Sequence, residues 1–278
     1  MAATEAGTLR PPTGAGQLRH ELRAIYAIWL RDLVRFKSER ARIVSAFAQP
    51  LIYLAVMGTG LGATVRVAGS PPGFSYLAFM YPGILGMTVL FTALFSAISV
   101  IWDREFGFLR EILVAPISRA SIVLGKVLGG ATVAAFQGMV LLLLAPIVGV
   151  PLGAGQIAEL VIVMFLAASA LTSLGLAIAS RMSSMEGFQV VMNFLVIPMW
   201  LLSGAFFPLR GLPGWMVILT RIDPLTYGVD ALRGIVYGRA SPAAALLAHS
   251  SALDVAVVTG FLVVMLGLAL VTFRSREE

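Results

Sequence analysis

The sequence predicts an all-α integral membrane protein. It has six transmembrane helices, an N-terminal interfacial amphipathic helix, a short charged helix on the cytoplasmic side, and short re-entrant helices on the outer side between spans five and six. Three observations predict it. Of 278 residues, 59% are hydrophobic and 12% charged, about half the charged share of a soluble domain, and the mean hydropathy is +0.92. The apolar residues gather into six runs, each near the roughly 20 residues that cross about 30 Å of hydrocarbon. The basic residues divide unequally between the two sides those runs define, fifteen against five, which puts both termini in the cytoplasm. The net charge of +6 sits beside the apolar runs and so matches anionic headgroups, not a nucleic-acid backbone.

Residues 1–16, rich in Ala, Gly, Thr and Pro, read as a disordered tail with no secretory leader. Over residues 17–42, Leu18, Leu22, Ile25, Trp29, Leu33 and Phe36 recur at spacings of three and four, ringed by Arg19, Arg23, Arg31, Arg35, Lys37 and Arg40. That is an interfacial helix whose basic side chains reach headgroups while its stripe sinks into acyl chains. Residues 43–278 form the transmembrane unit, with spans at Ile43–Ala63, Tyr76–Ile101, Ile122–Val148, Ile157–Ser180, Phe188–Phe207 and Leu253–Phe273. Between the fifth and sixth, residues 208–252 are broken by Pro208, Pro213, Pro224 and Pro242. They also carry Arg210, Arg221, Asp223, Asp230 and Arg233, too much charge for a crossing. Short helices dipping into the outer leaflet are expected there, wherever protein or water shields their backbone. No long-period repeat or inverted duplication is evident.

Several chemistries are closed by composition. Cysteine is absent and His20 and His249 are the only histidines, so no metal site is expected. Neither HExxH nor GxSxG occurs. Gly125-Lys126 lacks the upstream glycine of a phosphate loop and is followed by Val. Leu202-Ser203-Gly204 lies inside an apolar run. The chain is therefore expected to be no enzyme and to bind no cofactor itself. Span five presents Gln189, Asn193, Ile197, Trp200 and Gly204 on one face; span two presents Thr88, Phe91, Phe95, Ser99 and Trp102, and span three adds Gln137. Such faces fit a transport path and equally fit helix packing. No Asp, Glu, Lys or Arg falls near mid-bilayer, so an ion-coupled carrier lacks its carboxylate and driving energy must come from elsewhere. Gly58 and Gly62 form a GxxxG pair suited to close helix contact.

The stretch Trp102–Lys126 is a charged island between two apolar blocks. Asp103, Arg104, Glu105, Arg110 and Glu111 interleave with Phe106, Phe108, Leu109, Ile112, Leu113 and Val114, and Pro116 ends the pattern. An amphipathic helix held at a membrane surface is shaped for docking against another protein; the spacing fits an ordinary wetted loop as well.

The combination Asp103-Arg104-Glu105, Gly107, Leu109–Val114, Pro116 and Arg119 resembles the signature of ABC-2-type transporter permeases, and is most similar to the daunorubicin-resistance type. Phe108 and Arg110 stand where the commoner pattern has Thr and Glu. Phe206-Phe207-Pro208-Leu209, with Leu212-Pro213 and Trp215, is similar to that family's extracellular segment. Asp223-Pro224-Leu225-Thr226-Tyr227, with Asp230, Leu232 and Arg233, resembles its Asn-Pro-Leu-Thr-Tyr element, with Asp in place of Asn. The resemblance covers nearly all of the chain after residue 17. It implies a plasma-membrane exporter permease that moves a drug-like or lipid-like amphiphile, or alternatively a cell-envelope lipid or polysaccharide. It further implies a homo- or heterodimer in lipid, without nucleic acid, and a separate nucleotide-binding subunit that carries ATP and Mg. The implied coupling element is 103–119, through Asp103, Arg104, Glu105, Phe106, Gly107, Phe108, Arg110, Glu111, Pro116 and Arg119. The implied substrate path comprises Phe91, Phe95, Ser99, Gln189, Asn193, Ile197 and Trp200. Phe207, Pro208, Asp223, Pro224, Tyr227 and Arg233 form the implied outer gate.

Overall fold

The computed structural model describes residues 15–62, 64–105, 117–238 and 241–274, and all regular structure among them is helical. Six stretches there are long and apolar enough to cross a membrane: Ile43–Gly62, Tyr76–Asp103, Arg119–Leu144, Ala154–Ala179, Met185–Leu202 and Ser251–Phe273. They match the expected runs to within a few residues, though span five stops at Leu202, short of the expected Phe207.

Helix α1 (Ala15–Ser38) starts inside the expected tail, of which residues 1–14 lie outside the described residues. It stops before Glu39, whose backbone turns to φ −88° and ψ 70°, and α2 (Arg40–Ile52) begins span one. The helix expected over 17–42 is thus divided, and Arg40–Arg42 form the first turn of α2, just ahead of the span. Pro50 has no N–H to donate within α2, and the next residues, Tyr53–Met57, wind as a π turn before α3 (Gly58–Gly62) completes the crossing. Span two is α4 (Tyr76–Ser96), capped by the Ser75 hydroxyl accepting the Ala78 N–H at 3.1 Å, and α5 (Ile98–Glu105). Span three is α6 (Arg119–Leu141), capped by Ser118. Spans four and five are α7 (Ala154–Ala179) and α8 (Met185–Leu202). Then come α9 (Gly214–Ile222), α10 (Pro224–Tyr237) and the last span, α11 (Ser251–Arg274). Asp223 caps α10 by accepting the Leu225 N–H at 2.9 Å, with Pro224 at the first helical position, where its missing N–H costs nothing.

Span two is the centre of the bundle. Its window is 72% buried, against 18%, 28% and 17% for spans one, five and six, so those three leave most of their surface for lipid or another chain. Glycines let neighbours reach α4. A Cβ at Gly83 would lie 2.5 Å from the Ala205 backbone, and one at Gly86 2.6 Å from Val229. The chain leaving span five therefore crosses directly over α4. Helix α10 packs against α4, α7 and α11 and is mostly buried. The expected re-entrant segment thus contains one helix built into the core.

Arg119 Nη1 donates to the Phe273 carbonyl at 3.0 Å, so the start of span three and the finish of span six lie side by side. The first turns of α1, the last turn of α11 and the two flanks of residues 106–116 occupy this one end of the bundle; α9 and α10 occupy the other. Spans two and three have 28 and 26 residues, about 40 Å of helix each, roughly 10 Å more than hydrocarbon requires. The excess carries Asp103, Arg119 and Lys126.

Two predictions follow from this packing. Gly83→Leu should destabilise the protein by about 1–3 kcal/mol and lower Tm in detergent, whereas Gly60→Leu, with nothing within 4 Å of its Cβ position, should leave Tm unchanged. Burial pushes the Asp223 carboxyl up from its ordinary 3.8 to about 7. The folded chain thus holds a proton that the unfolded chain releases, and this contribution is full below about pH 4 and is lost as pH rises through 7. Asp223→Asn keeps the cap and should flatten that part of the stability profile, read as Tm against pH.

Candidate functional site

At the charged end α1 lies alongside the first half of α6, both running the same way. Gly125 and Gly129, one turn apart, make the close approach possible: a Cβ at Gly125 would lie 2.8 Å from Ile28 Cβ, and one at Gly129 3.0 Å from Asp32 Cβ. Trp29 Nε1 donates to Thr132 Oγ1 at 3.1 Å. The expected stripe is therefore split. Ile25, Trp29, Leu33 and Phe36 are partly covered and Ile28 is buried, while Leu18 and Leu22 continue into an exposed row with Tyr26, Leu30 and Val34.

Lys126 stands about two turns inside α6 and is only 3% exposed. Its ammonium donates to Asp103 Oδ2 at 2.8 Å and to Ser99 Oγ at 2.9 Å, and lies 3.4 Å from Asp32 Oδ1. Arg31 Nη2 donates to the same Asp103 oxygen at 2.8 Å. Arg35 stacks 4.2 Å over the Trp102 ring and pairs with Glu39 at 3.1 Å. Three cations thus meet Asp32, Asp103 and Glu39, the balance a buried cluster needs. At the start of α6, the Glu21 carboxylate accepts the Ser118 N–H and, at 2.7 Å, its hydroxyl, together with the Ser121 hydroxyl. These hydroxyls hold the Glu21 pKa below the ordinary value.

Several expected site residues change setting. Asp103, expected on a docking surface, is 6% exposed and engaged by its own chain. Ser99, expected on a substrate path, serves Lys126. Arg119 turns into the bundle toward Phe273. Glu105 is exposed on the last turn of α5, which also contains Arg104. Phe106, Gly107, Phe108, Arg110, Glu111 and Pro116 lie outside the described residues. The sequence reading overlooked the partners Glu21, Arg31, Asp32 and Lys126 as a group. The available signal was a lysine set among Gly, Val and Leu, which requires a carboxylate.

Phe91 and Phe95 line a cleft of about 310 Å³ between spans one, two and three, together with Ser45, Gln49, Thr88, Thr92 and Gln137. The Gln137 side-chain amide oxygen accepts the Thr92 hydroxyl, and among the described residues no ionisable side chain lines the cleft. Trp200 does not line the cleft but packs behind it, edge-on to Phe91 at 6.1 Å and to Tyr53 at 4.9 Å, with Phe206 against it at 4.7 Å. The structure thus joins Phe91, Phe95 and Trp200. Gln189, Asn193 and Ile197 are not in the cleft; they stand on the exposed face of α8 beside Phe194, which is 83% exposed.

At the opposite end Arg233 is 1% exposed. Its guanidinium lies 4.5 Å over the Phe79 ring of α4, and Nη2 donates at 2.7 Å to the carbonyl of Gly204, where φ is +78° and span five ends. Phe207 and Pro208 follow, half-buried. The Tyr227 hydroxyl donates to the Arg221 carbonyl at 2.9 Å, and its ring stacks on His249 at 4.8 Å. Asp230 accepts the backbone N–H groups of Ala248 and His249. Donor atoms of Asp230, His249 and Asp254 lie within 4.8 Å of one another, a junction the sequence reading did not anticipate because it gave His249 no role. It fastens the segment before α11 to α10.

Residues 23–237 match the family described as ABC-2 type transporter. The chain is 31% identical over 238 residues to nodulation protein J of Rhizobium meliloti (strain 1021), covering 84% of this chain and 88% of that one. It is 29% identical to nodulation protein J of Rhizobium leguminosarum bv. trifolii, with the same coverage. It is also 28% identical over 217 residues to ycf38 of Cyanophora paradoxa, described as a transport permease, covering 76% of this chain and 73% of that one. The chain belongs to the ABC-2 type transporter family and is a multi-pass membrane component of a transport system.

Proposed function

We propose that this chain is the permease subunit of an exporter driven by ATP hydrolysis on a separate nucleotide-binding subunit. The observation that carries the reading is the cleft: among the described residues its lining joins hydroxyl and amide groups to a mainly apolar wall and includes no ionisable side chain, so those residues offer no carboxylate for proton or sodium coupling. ATP and Mg belong to the partner, and this chain supplies the path. It sits in the plasma membrane with both termini cytoplasmic, the charged end inward. Residues 103–119 dock in the partner, with Glu105 and residues 106–116 meeting it and Asp103 holding the docking segment from behind.

The exposed faces of spans one and five support a dimer. Span six exposes Leu253, Val255, Val263, Val264, Leu268 and Val271, as lipid favours. Spans one and five instead expose Ser45, Gln49, Gln189 and Asn193 among their apolar residues. A second protomer over those faces would enclose the cleft, Trp200 and Asn193 in one path. ATP-driven closure of the partner then pushes the charged end and tilts span two, and the outer end yields where Arg233 joins α10 to span five. The substrate is an amphiphile with an uncharged polar part. Amides and hydroxyls beside two phenylalanines also suit the second reading, a cell-envelope lipid or polysaccharide.

Glu105→Lys or Gly107→Trp should leave the protein inserted and bound to lipid but lower substrate-stimulated ATP hydrolysis at least about tenfold; unchanged transport by both variants removes the island from the mechanism. Asn193→Ala or Trp200→Ala should change which members of a compound panel are exported. Identical profiles would assign those residues to packing.

A further inference from the structure

We propose that α1 is a positioning clamp for the coupling segment, holding both of its flanks from one helix; this rests on the coupling role given to residues 103–119. Glu21 takes the trailing flank, accepting the Ser118 N–H at 3.1 Å, the Ser118 hydroxyl at 2.7 Å and the Ser121 hydroxyl. Ten residues further along α1, Arg31 takes the leading flank through Asp103 at 2.8 Å, and Arg35 covers Trp102. The two grips stand about 15 Å apart on one rigid helix. A carboxylate receiving three donors from one helix start is a directed contact, stronger than an incidental surface pair. Helix α1 is itself seated on span three through Gly125, Gly129 and the Trp29–Thr132 bond. A push on the segment therefore moves α1, the end of span two and the start of span three as one body. Glu21 and Arg31 are positioning residues in this scheme, since neither needs to touch the nucleotide-binding subunit.

The test uses the assembled transporter in liposomes, with hydrolysis of Mg-ATP by the bound nucleotide-binding subunit as the readout. Glu21→Ala should keep complex assembly and Tm but cut permease-dependent stimulation of hydrolysis at least about fivefold. Ser118→Ala with Ser121→Ala should cut stimulation to the same extent, with the lower Tm of a lost α6 cap, and adding Glu21→Ala to that pair should cost no further stimulation, because one contact is removed either way. The chain has no cysteine of its own. Glu21→Cys with Ser118→Cys should therefore show the loss when reduced and recover when joined by a short bis-methanethiosulfonate linker, a rescue that a general folding defect would not show. Wild-type hydrolysis by Glu21→Ala, losses that add independently, or a linked pair that stays inactive would each overturn the clamp. Failure of the coupling reading looks different: Glu105 and Gly107 variants would then be silent too, whereas a failed clamp leaves those positions sensitive and Glu21 silent.

Discussion

The ammonium of Lys126 is buried among Gly, Val and Leu on a helix that enters a membrane. An unpaired charge there costs at least several kcal/mol, so the fold must deliver carboxylates to it. It draws Asp103 from the end of span two and Asp32 from α1, and Arg31 then balances Asp103. That requirement fixes where three elements meet. It places α1 against span three, which in turn explains why Gly125 and Gly129 face Ile28 and Asp32. The charged end is consequently a braced platform from which residues 106–116 depart and to which they return.

The opposite end repeats the logic with a different cation. Arg233 is nearly inaccessible and meets the face of Phe79 and the Gly204 carbonyl, although its buried Nε has no hydrogen-bond partner among the described residues. Through it, α10 holds span two and the finish of span five together. The two ends are linked along α4, the most buried span, with Phe79 near one limit and Ser99 just past the other. Between them, Phe91 and Phe95 line the uncharged cleft. The central helix is thus held at both limits, by the Asp103–Lys126 ion pair just past one and by the Arg233 guanidinium over Phe79 at the other.

The six spans were legible because hydropathy is a local property, and Tyr76–Asp103 needs nothing beyond its own residues to be recognised. The aromatic spacing on span two likewise puts Phe91 and Phe95 on one face, where their rings stack at 6.2 Å. What the sequence concealed were long-range pairings. Asp103 reads as a surface charge until Lys126, 23 residues on, and Arg31, 72 residues back, are placed beside it. Ser99 reads as a path residue for the same reason. Helix α10 looks too charged for a core because the partners of Asp230 and Arg233 are backbone groups of residues 248, 249 and 204, which no periodicity reports. Gln189 and Asn193 were grouped correctly as one face of span five, but that face looks outward from the single chain.

The central claim is that motion begins outside this chain, in a nucleotide-hydrolysing partner pressing on the braced end. Its most direct test is efflux of a fluorescent neutral glycolipid from proteoliposomes containing this chain alone or joined to the proposed nucleotide-binding subunit. The account predicts efflux only with the partner and Mg-ATP together, and none under an imposed proton or sodium gradient. Gradient-driven efflux by the isolated chain would contradict it.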